Sequence, residues 1–278
     1  MPPLQVLHAS GHEIALVITQ PDKKRGRGGE LSPTPVKAAA QALGIPVSHR
    51  VKDIADLRAD LGVVVAFGRL IKPEVLASLD FLNLHFSLLP RWRGAAPVER
   101  AILAGDKETG VCVMKLEEEL DTGPIYSRST LSIDPQESVE ELRRRLVDLG
   151  SSELVRLLEN PLPHLTPQSG QVTHAAKIDP EELHIDWRQT AEETLRTTRL
   201  GRSWTTFRGR RLLIHRARVG NPLDAGETRL APGHCRGVLV GATDRPVEMI
   251  EVQAEGKTRQ SAAVWANGAR PGPDDRME

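Results

Sequence analysis

Residues 62–67, Gly62-Val63-Val64-Val65-Ala66-Phe67, and residues 81–87, Phe81-Leu82-Asn83-Leu84-His85-Phe86-Ser87, decide how this chain is read. Each is a short apolar run of strand length, and GVVVAF has the unbroken apolar character of a strand covered on both faces. Between and after them the pattern changes to helix at 73–79 and 97–104, with a further strand at 110–116. Strand alternating with helix predicts an α/β unit: a Rossmann-like, mostly parallel sheet with crossover helices. Working toward the start, Thr34-Pro35 opens a helix that Leu43-Gly44 closes, because proline suits a first turn and glycine a C-terminal cap. Before it lies a Gly- and Lys/Arg-rich loop from Pro21 to Ser32, and before that the β-rich run from Ile14 to Ile18.

Working toward the end, Leu142, Leu146, Leu149, Leu154 and Leu157 are spaced for one face of a long helix beginning near Ser138. Three prolines between Asn160 and Gly170 mark a linker, placed at 160–172 and closing a first domain of 1–159. From 173 to 270 the runs RRLLIHRARV, GVLVG and VEMIEV, separated by Gly, Pro and Asp, predict a small OB-like β-barrel. Residues 271–278, PGPDDRME, are expected to be a disordered tail.

With 278 residues, 37 basic and 37 acidic side chains, the overall charge offers no reason to expect a polyanion partner, so any nucleic-acid surface must be local. Cys112 and Cys235 stand far apart without a CxxC or His/Cys cluster, against both a disulfide framework and a metal site. No run has the length of a membrane span and the opening lacks a signal-peptide pattern, so a reduced cytoplasmic protein, expected to be a monomer, fits best.

Asn83 and His85 lie two apart on a strand and so face one way, near the strand's C-terminal end, where open α/β sheets place ligands. Taken alone, an Asn and a His on a strand are more often satisfied core groups than catalysts. The loop Ser87-Leu88-Leu89-Pro90-Arg91-Trp92-Arg93-Gly94 shifts that balance, since two cations and an aromatic are unnecessary for a simple turn. Leu120-Asp121-Thr122-Gly123 follows the next strand, and by itself is an ordinary turn.

In order and spacing, Asn83-x-His85 with Ser87-Leu88-Leu89-Pro90 and then Leu120-Asp121-Thr122-Gly123 resembles the signature of formyltetrahydrofolate-dependent formyltransferases. Thr19-Gln20-Pro21-Asp22, Arg91-Trp92-Arg93-Gly94-Ala95-Ala96-Pro97, Ala175-Ala176-Lys177-Ile178 and Ile185-Asp186-Trp187 narrow the resemblance to the methionyl-tRNA formyltransferase family. The resemblance implies transfer of formyl from 10-formyltetrahydrofolate to initiator methionyl-tRNA, without a metal, by Asn83, His85 and Asp121. It implies a folate pocket made from Phe67, Gly68, Arg69, Leu70, Ile71, Ser87, Leu88, Leu89, Pro90, Leu116 and Leu120. It also implies that Lys23, Lys24, Arg25 and Arg27 meet the tRNA acceptor end; a solvated loop is the ordinary reading of such a run.

A second basic feature is visible without the family. Between Glu193 and Asp224 there is no acidic residue but eight arginines, including Arg208, Arg210, Arg211, Arg216 and Arg218, which predicts a polyanion footprint. The competing reading is an exposed basic strand edge that discourages aggregation. Two departures from the family pattern stand out. Met1-Pro2-Pro3 falls inside the first helix, so the sheet is expected to lack its first strand, and Glu119 replaces the glycine usual before Leu-Asp-Thr-Gly. A formyltransferase for a small amine, and a binding module without catalysis, remain the rival function classes.

Overall fold

The computed structural model describes residues 2–25, 29–55, 57–221, 230–272 and 274–278. They form two compact units: Met1–Pro97, Glu108–Ser132 and Arg144–Ala175 in one, Val98–Lys107, Ile133–Arg143 and Ala176–Glu278 in the other.

In chain order the elements as far as residue 175 are α1 (Pro2–Ala9), β1 (Val17–Ile18), β2 (Lys23–Arg25), β3 (Glu30–Ser32), α2 (Pro35–Ala42), β4 (Val47–Ser48), β5 (Gly62–Val65), α3 (Pro73–Leu76), β6 (Phe81–His85), β7 (Arg93–Gly94), α4 (Pro97–Ala104), β8 (Glu108–Lys115), β9 (Ile125–Ser132), α5 (Val139–Leu158) and β10 (His174–Ala175). Local chemistry sets several of these bounds. Thr34 caps α2 by accepting the Lys37 N–H at 3.2 Å, and Gly44 takes φ +71° just beyond its end. Along α5, Leu142, Leu146 and Leu154 are fully buried, which fixes its apolar face.

The central sheet has the order β5-β6-β8-β9. It is not mostly parallel: β5 and β6 run parallel, whereas β6–β8 and β8–β9 are antiparallel. His85 at the end of β6 lies opposite Cys112, and Leu82 opposite Lys115, so β8 enters the sheet from the edge where β6 left it. Alternating strand and helix cannot show whether the intervening helix carries the chain back across the sheet. Here it does not. β1 and β4 form a separate parallel pair, and β2 and β3 a hairpin. As an edge strand with one neighbour, β5 is less covered than its apolar run suggests, and Val63 is 36% exposed.

The second unit adds α6 (Ala191–Thr198), β11 (Ser203–Phe207), β12 (Arg210–Val219), β13 (Cys235–Arg236), β14 (Leu239–Val240), β15 (Val247–Ala254), β16 (Gln260–Ser261) and α7 (Ala262–Ala269). Arg208 and Gly209, at φ +50° and +71°, make the tight turn between β11 and β12. The antiparallel ladder β11-β12-β15-β14-β13, with β16 on β15, is an open path instead of the expected closed barrel. Among the described residues its two ends are joined only by single bridges, Met277 to Phe207 of β11 and Arg276 to His234 beside β13, and not by a strand ladder. Its core packs Ile185, Trp187, Leu212, Ile214, Met249, Val252 and Trp265 together.

The segment read as a disordered tail is bound into this unit. Met277 joins the core at 3% exposure, single bridges link it to Phe207 and Arg276 to His234, and the Glu278 carbonyl accepts from Thr205 Oγ1 at 2.8 Å and the Thr206 N–H at 2.6 Å. Composition marked these residues as polar and Pro-rich; it cannot see that one methionine completes an apolar core.

Candidate active site

Asn83 and His85 sit on β6, between β5 and β8, and both are nearly buried at 8% and 6% exposure. Asp121, 6% exposed, reaches them from the loop joining β8 to β9. Its carboxylate is shared: Oδ1 accepts from Asn83 Nδ2 at 3.2 Å, while Oδ2 accepts from the Gly94 N–H at 2.8 Å and lies 3.6 Å from His85 Nδ1. The three residues that the sequence singled out for chemistry therefore meet at one point.

The protonation pattern of His85 follows from its partners. Nε2 is 2.8 Å from the Trp92 carbonyl, an oxygen that can only accept, so Nε2 carries a hydrogen. Nδ1 is left as the ring position where a proton can come and go, and a proton there faces the Asp121 carboxylate. Asn83 has two N–H donors, of which Asp121 takes one.

Among the described residues of this unit, three that are not glycine hold positive φ: Ala66 at 48°, Trp92 at 63° and Asp121 at 53°. Ala66 and Trp92 lie on loops at the C-terminal end of β6, Ala66 being one step beyond Val65, which pairs with Leu84, and Asp121 lies on the β8–β9 loop, from which its carboxylate reaches Asn83 and His85. Such conformations cost about 1–3 kcal/mol each and collect where a site needs its groups held in place. Glu119 is not among them, so replacing glycine there leaves the turn intact; Thr122 Oγ1 closes it on the Glu119 carbonyl at 3.2 Å. Gly123 is required for space instead, since a Cβ there would lie 1.9 Å from the Lys115 carbonyl oxygen.

The residues expected to line a folate pocket are divided by the structure. Phe67, Gly68, Arg69, Leu70 and Ile71 follow β5 at the edge of the sheet that His85 reaches, with the Arg69 guanidinium 4.9 Å from the Phe67 ring centre and Leu70 77% exposed. Leu120, beside Asp121, is 58% exposed. Ser87 and Leu89 are wholly buried: the Ser87 hydroxyl donates to the Arg91 carbonyl at 2.6 Å, and Leu89 packs with Cys112, Met114 and Ile125. Pro90 is buried and Leu88 half-buried, and the Leu88 and Leu89 carbonyls already accept from the Arg91 N–H and Arg128. Leu116 donates its N–H to the Phe81 carbonyl, at the opposite end of β6 from His85.

Sequence reading missed the segment that covers this site. Residues read as a linker bridge Thr166 to Ile125 and continue into β10, which pairs with β7. Thr173 Oγ1 accepts the Trp92 N–H at 2.9 Å and its carbonyl accepts the Arg93 N–H at 2.9 Å. Gly94, at φ +125°, passes so close that a Cβ would lie 2.8 Å from the Ala175 carbonyl oxygen. Nothing in a Pro-rich, aperiodic stretch signals such pairing; the one available clue was the Ala175-Ala176-Lys177-Ile178 motif beside it.

The cations expected to meet tRNA are also distinguished. Lys23 and Lys24 lie exposed on the β2–β3 hairpin with Arg25 at its end, and Arg27 lies outside the described residues. Arg208 is engaged, pairing with Asp275 at 2.6 Å and donating to the Ala269 carbonyl. That bond holds the Asp275 carboxyl down to about 2. Arg218 pairs with Glu248 at 2.8 Å, and Arg216 lies opposite Glu251 in the ladder. The acid-free stretch of sequence is thus partly neutralised by β15. Arg210 is exposed without an ion pair among the described residues, and Arg211 lies 3.9 Å over the Trp204 ring, which stacks on His184.

Comparisons with known proteins show the family and the fold. Residues 4–158 match the model of the formyl transferase family and residues 177–270 that of the formyl transferase C-terminal domain. A methionyl-tRNA formyltransferase of Roseobacter denitrificans is 41% identical over 97% of this chain and 92% of its own length. One from Thermus thermophilus is 40% identical over 96% and 92%. Among solved structures, an N-formyltransferase from Helicobacter canadensis in complex with folinic acid and dTDP-3-aminofucose superposes with a TM-score of 0.69 at 15% identity, covering 91% of this chain and 94% of that one. HypX from Aquifex aeolicus in complex with tetrahydrofolic acid gives 0.63 at 18% identity over 84% and 44%. At such identities the structural likeness speaks for the fold alone.

Proposed function

The chain belongs to the methionyl-tRNA formyltransferase family, and from that premise we propose that it transfers the formyl group of 10-formyltetrahydrofolate to the amino group of initiator methionyl-tRNA. The observation that carries the reading is its likeness, at about 40% identity over nearly the full length, to curated enzymes of that name. The convergence of Asn83, His85 and Asp121 supplies the chemistry such a transfer needs.

In the reaction the methionine nitrogen bonds to the formyl carbon and the bond from that carbon to the folate nitrogen breaks. The amine loses one proton and the folate nitrogen gains one. Negative charge develops on the formyl oxygen, and fixed donors aimed at such an oxygen are commonly worth about 3 kcal/mol each. Asn83 offers the N–H that Asp121 does not use. His85 receives or returns the proton at Nδ1, with Nε2 anchored by the Trp92 carbonyl, and Asp121 stabilises the ring while it is charged.

The folate fits the half of its expected pocket that the structure leaves accessible: Leu70 and Leu120 are large apolar side chains standing in water, suited to cover a flat ring. Ser87, Leu89 and Pro90 support that pocket from behind. Lys23, Lys24 and Arg25 on the hairpin, Arg27 in the sequence after them, and Arg210 and Arg211 on residues 173–270 are assigned to tRNA phosphates, while the chemistry belongs to residues 1–159.

The test is formylation of methionyl-tRNA by the purified chain with 10-formyltetrahydrofolate, read as formylmethionine released from the tRNA. Formylation of a nucleotide-linked amino sugar in preference to methionyl-tRNA would overturn the proposal.

A further inference from the structure

Gln168 uses all of its hydrogen-bonding capacity on the two loops that hold His85 and Asp121. Its Nε2 donates to the Asp121 carbonyl at 2.8 Å and to the Gly123 carbonyl at 2.8 Å. Its Oε1 accepts from Arg93 Nε at 3.0 Å and Arg93 Nη2 at 2.6 Å. An amide side chain has two N–H donors and two acceptor sites, so none is left over.

The partners make this more than local tidiness. Arg93 stands between Trp92, whose carbonyl holds His85 Nε2, and Gly94, whose N–H holds Asp121 Oδ2. A closed circuit results, running from Gln168 through Arg93 to His85 and Asp121 and back to Gln168. Asp121 needs such a hold because it stands in the left-handed region, φ +53°, outside any strand ladder. Its carboxylate can address Asn83 and His85 together only while its backbone stays where the Gln168 amide fixes it.

We propose that Gln168 is a positioning residue for formyl transfer, setting the Asp121 carboxylate against His85 and Asn83 from outside the reacting atoms. This rests on the reading that Asp121 serves that reaction. Displacement of a catalytic group by about 1 Å commonly costs about 100-fold in rate. Gln168→Glu keeps the length and the oxygen that faces Arg93, but sets an oxygen against the Asp121 and Gly123 carbonyls. Its kcat should fall about 100-fold with KM for both substrates within about 3-fold. Gln168→Met, of similar length and without donors, should behave alike if Gln168→Glu does not fold. Val172→Ala, in the same segment and 43% exposed, should keep wild-type rates.

The decisive reading is the double-mutant cycle. In an Asp121→Ala chain, adding Gln168→Glu should cost less than about 2-fold, because the group it positions is gone. Full additivity of the two losses, or a Gln168→Glu chain with wild-type kcat, overturns the proposal. If the wild-type chain forms no formylmethionine, the functional reading fails by itself. Hydrogen exchange at the Gly94 N–H then decides the positioning: faster exchange in Gln168→Glu than in wild type supports it, and equal exchange overturns it.

Discussion

Asp121 makes a different contact with each carboxylate oxygen, and the difference predicts what its charge does. Asp121→Asn keeps the shape while removing the charge that faces His85 Nδ1 at 3.6 Å. A loss of about 10²–10³-fold in kcat, with KM for folate and tRNA little changed, is expected from steady-state kinetics. Arg208 illustrates the opposite case, a cation recruited for structure. The Arg208 guanidinium holds the Asp275 carboxyl at about 2, below its ordinary 3.8. A depressed carboxyl contributes stability that is fully present above its unfolded value and is lost as pH falls through about 2. Thermal midpoints of wild type and Asp275→Asn should therefore differ at pH 5 and converge toward pH 2. Both residues lie in runs whose composition gave no hint of this split. Asp121 was legible because it sits in an ordered motif; the engagement of Arg208 was not, because its partner is an aspartate far along the chain.

At the scale of elements, the strands and helices follow from local pattern while their pairing does not. Residues 97–104 and 210–219, marked by apolar spacing, are the observed α4 and β12. The apolar run at 62–67 gives β5, yet only the register shows it to be an edge strand. Residues 274–278 show the limit most sharply, since a short polar segment becomes structural by supplying Met277 to a core made elsewhere. Truncating that side chain should leave a cavity between β11 and its neighbours. Met277→Ala is expected to cost about 2–5 kcal/mol, measured as a lower denaturant midpoint, with formylation chemistry unchanged below the transition.

For the molecule as a whole, charge is balanced and the question is where it is unpaired. Counting along residues 194–223 suggested one continuous basic face, but β15 brings Glu248 and Glu251 against it. Each phosphate contact removed should flatten the salt dependence of tRNA binding by about one unit of slope. Arg210→Ala with Arg211→Ala should therefore flatten it, whereas Arg218→Ala, which breaks an ion pair with Glu248, should not; filter binding across a salt series measures both. Among the described residues no helix is long and apolar enough to cross a membrane. What the sequence by itself determined was which residues to single out: strand periodicity sets Asn83 and His85 on one face, and their order with Asp121 along the chain resembles a family signature. What only the tertiary structure decided was which neighbours complete them. Gln168 against Asp121, Thr173 against Trp92, Asp275 against Arg208 and the reversed course of β8 all depend on segments distant in sequence, and hydrogen bonds and burial between such segments exist only once the chain has folded.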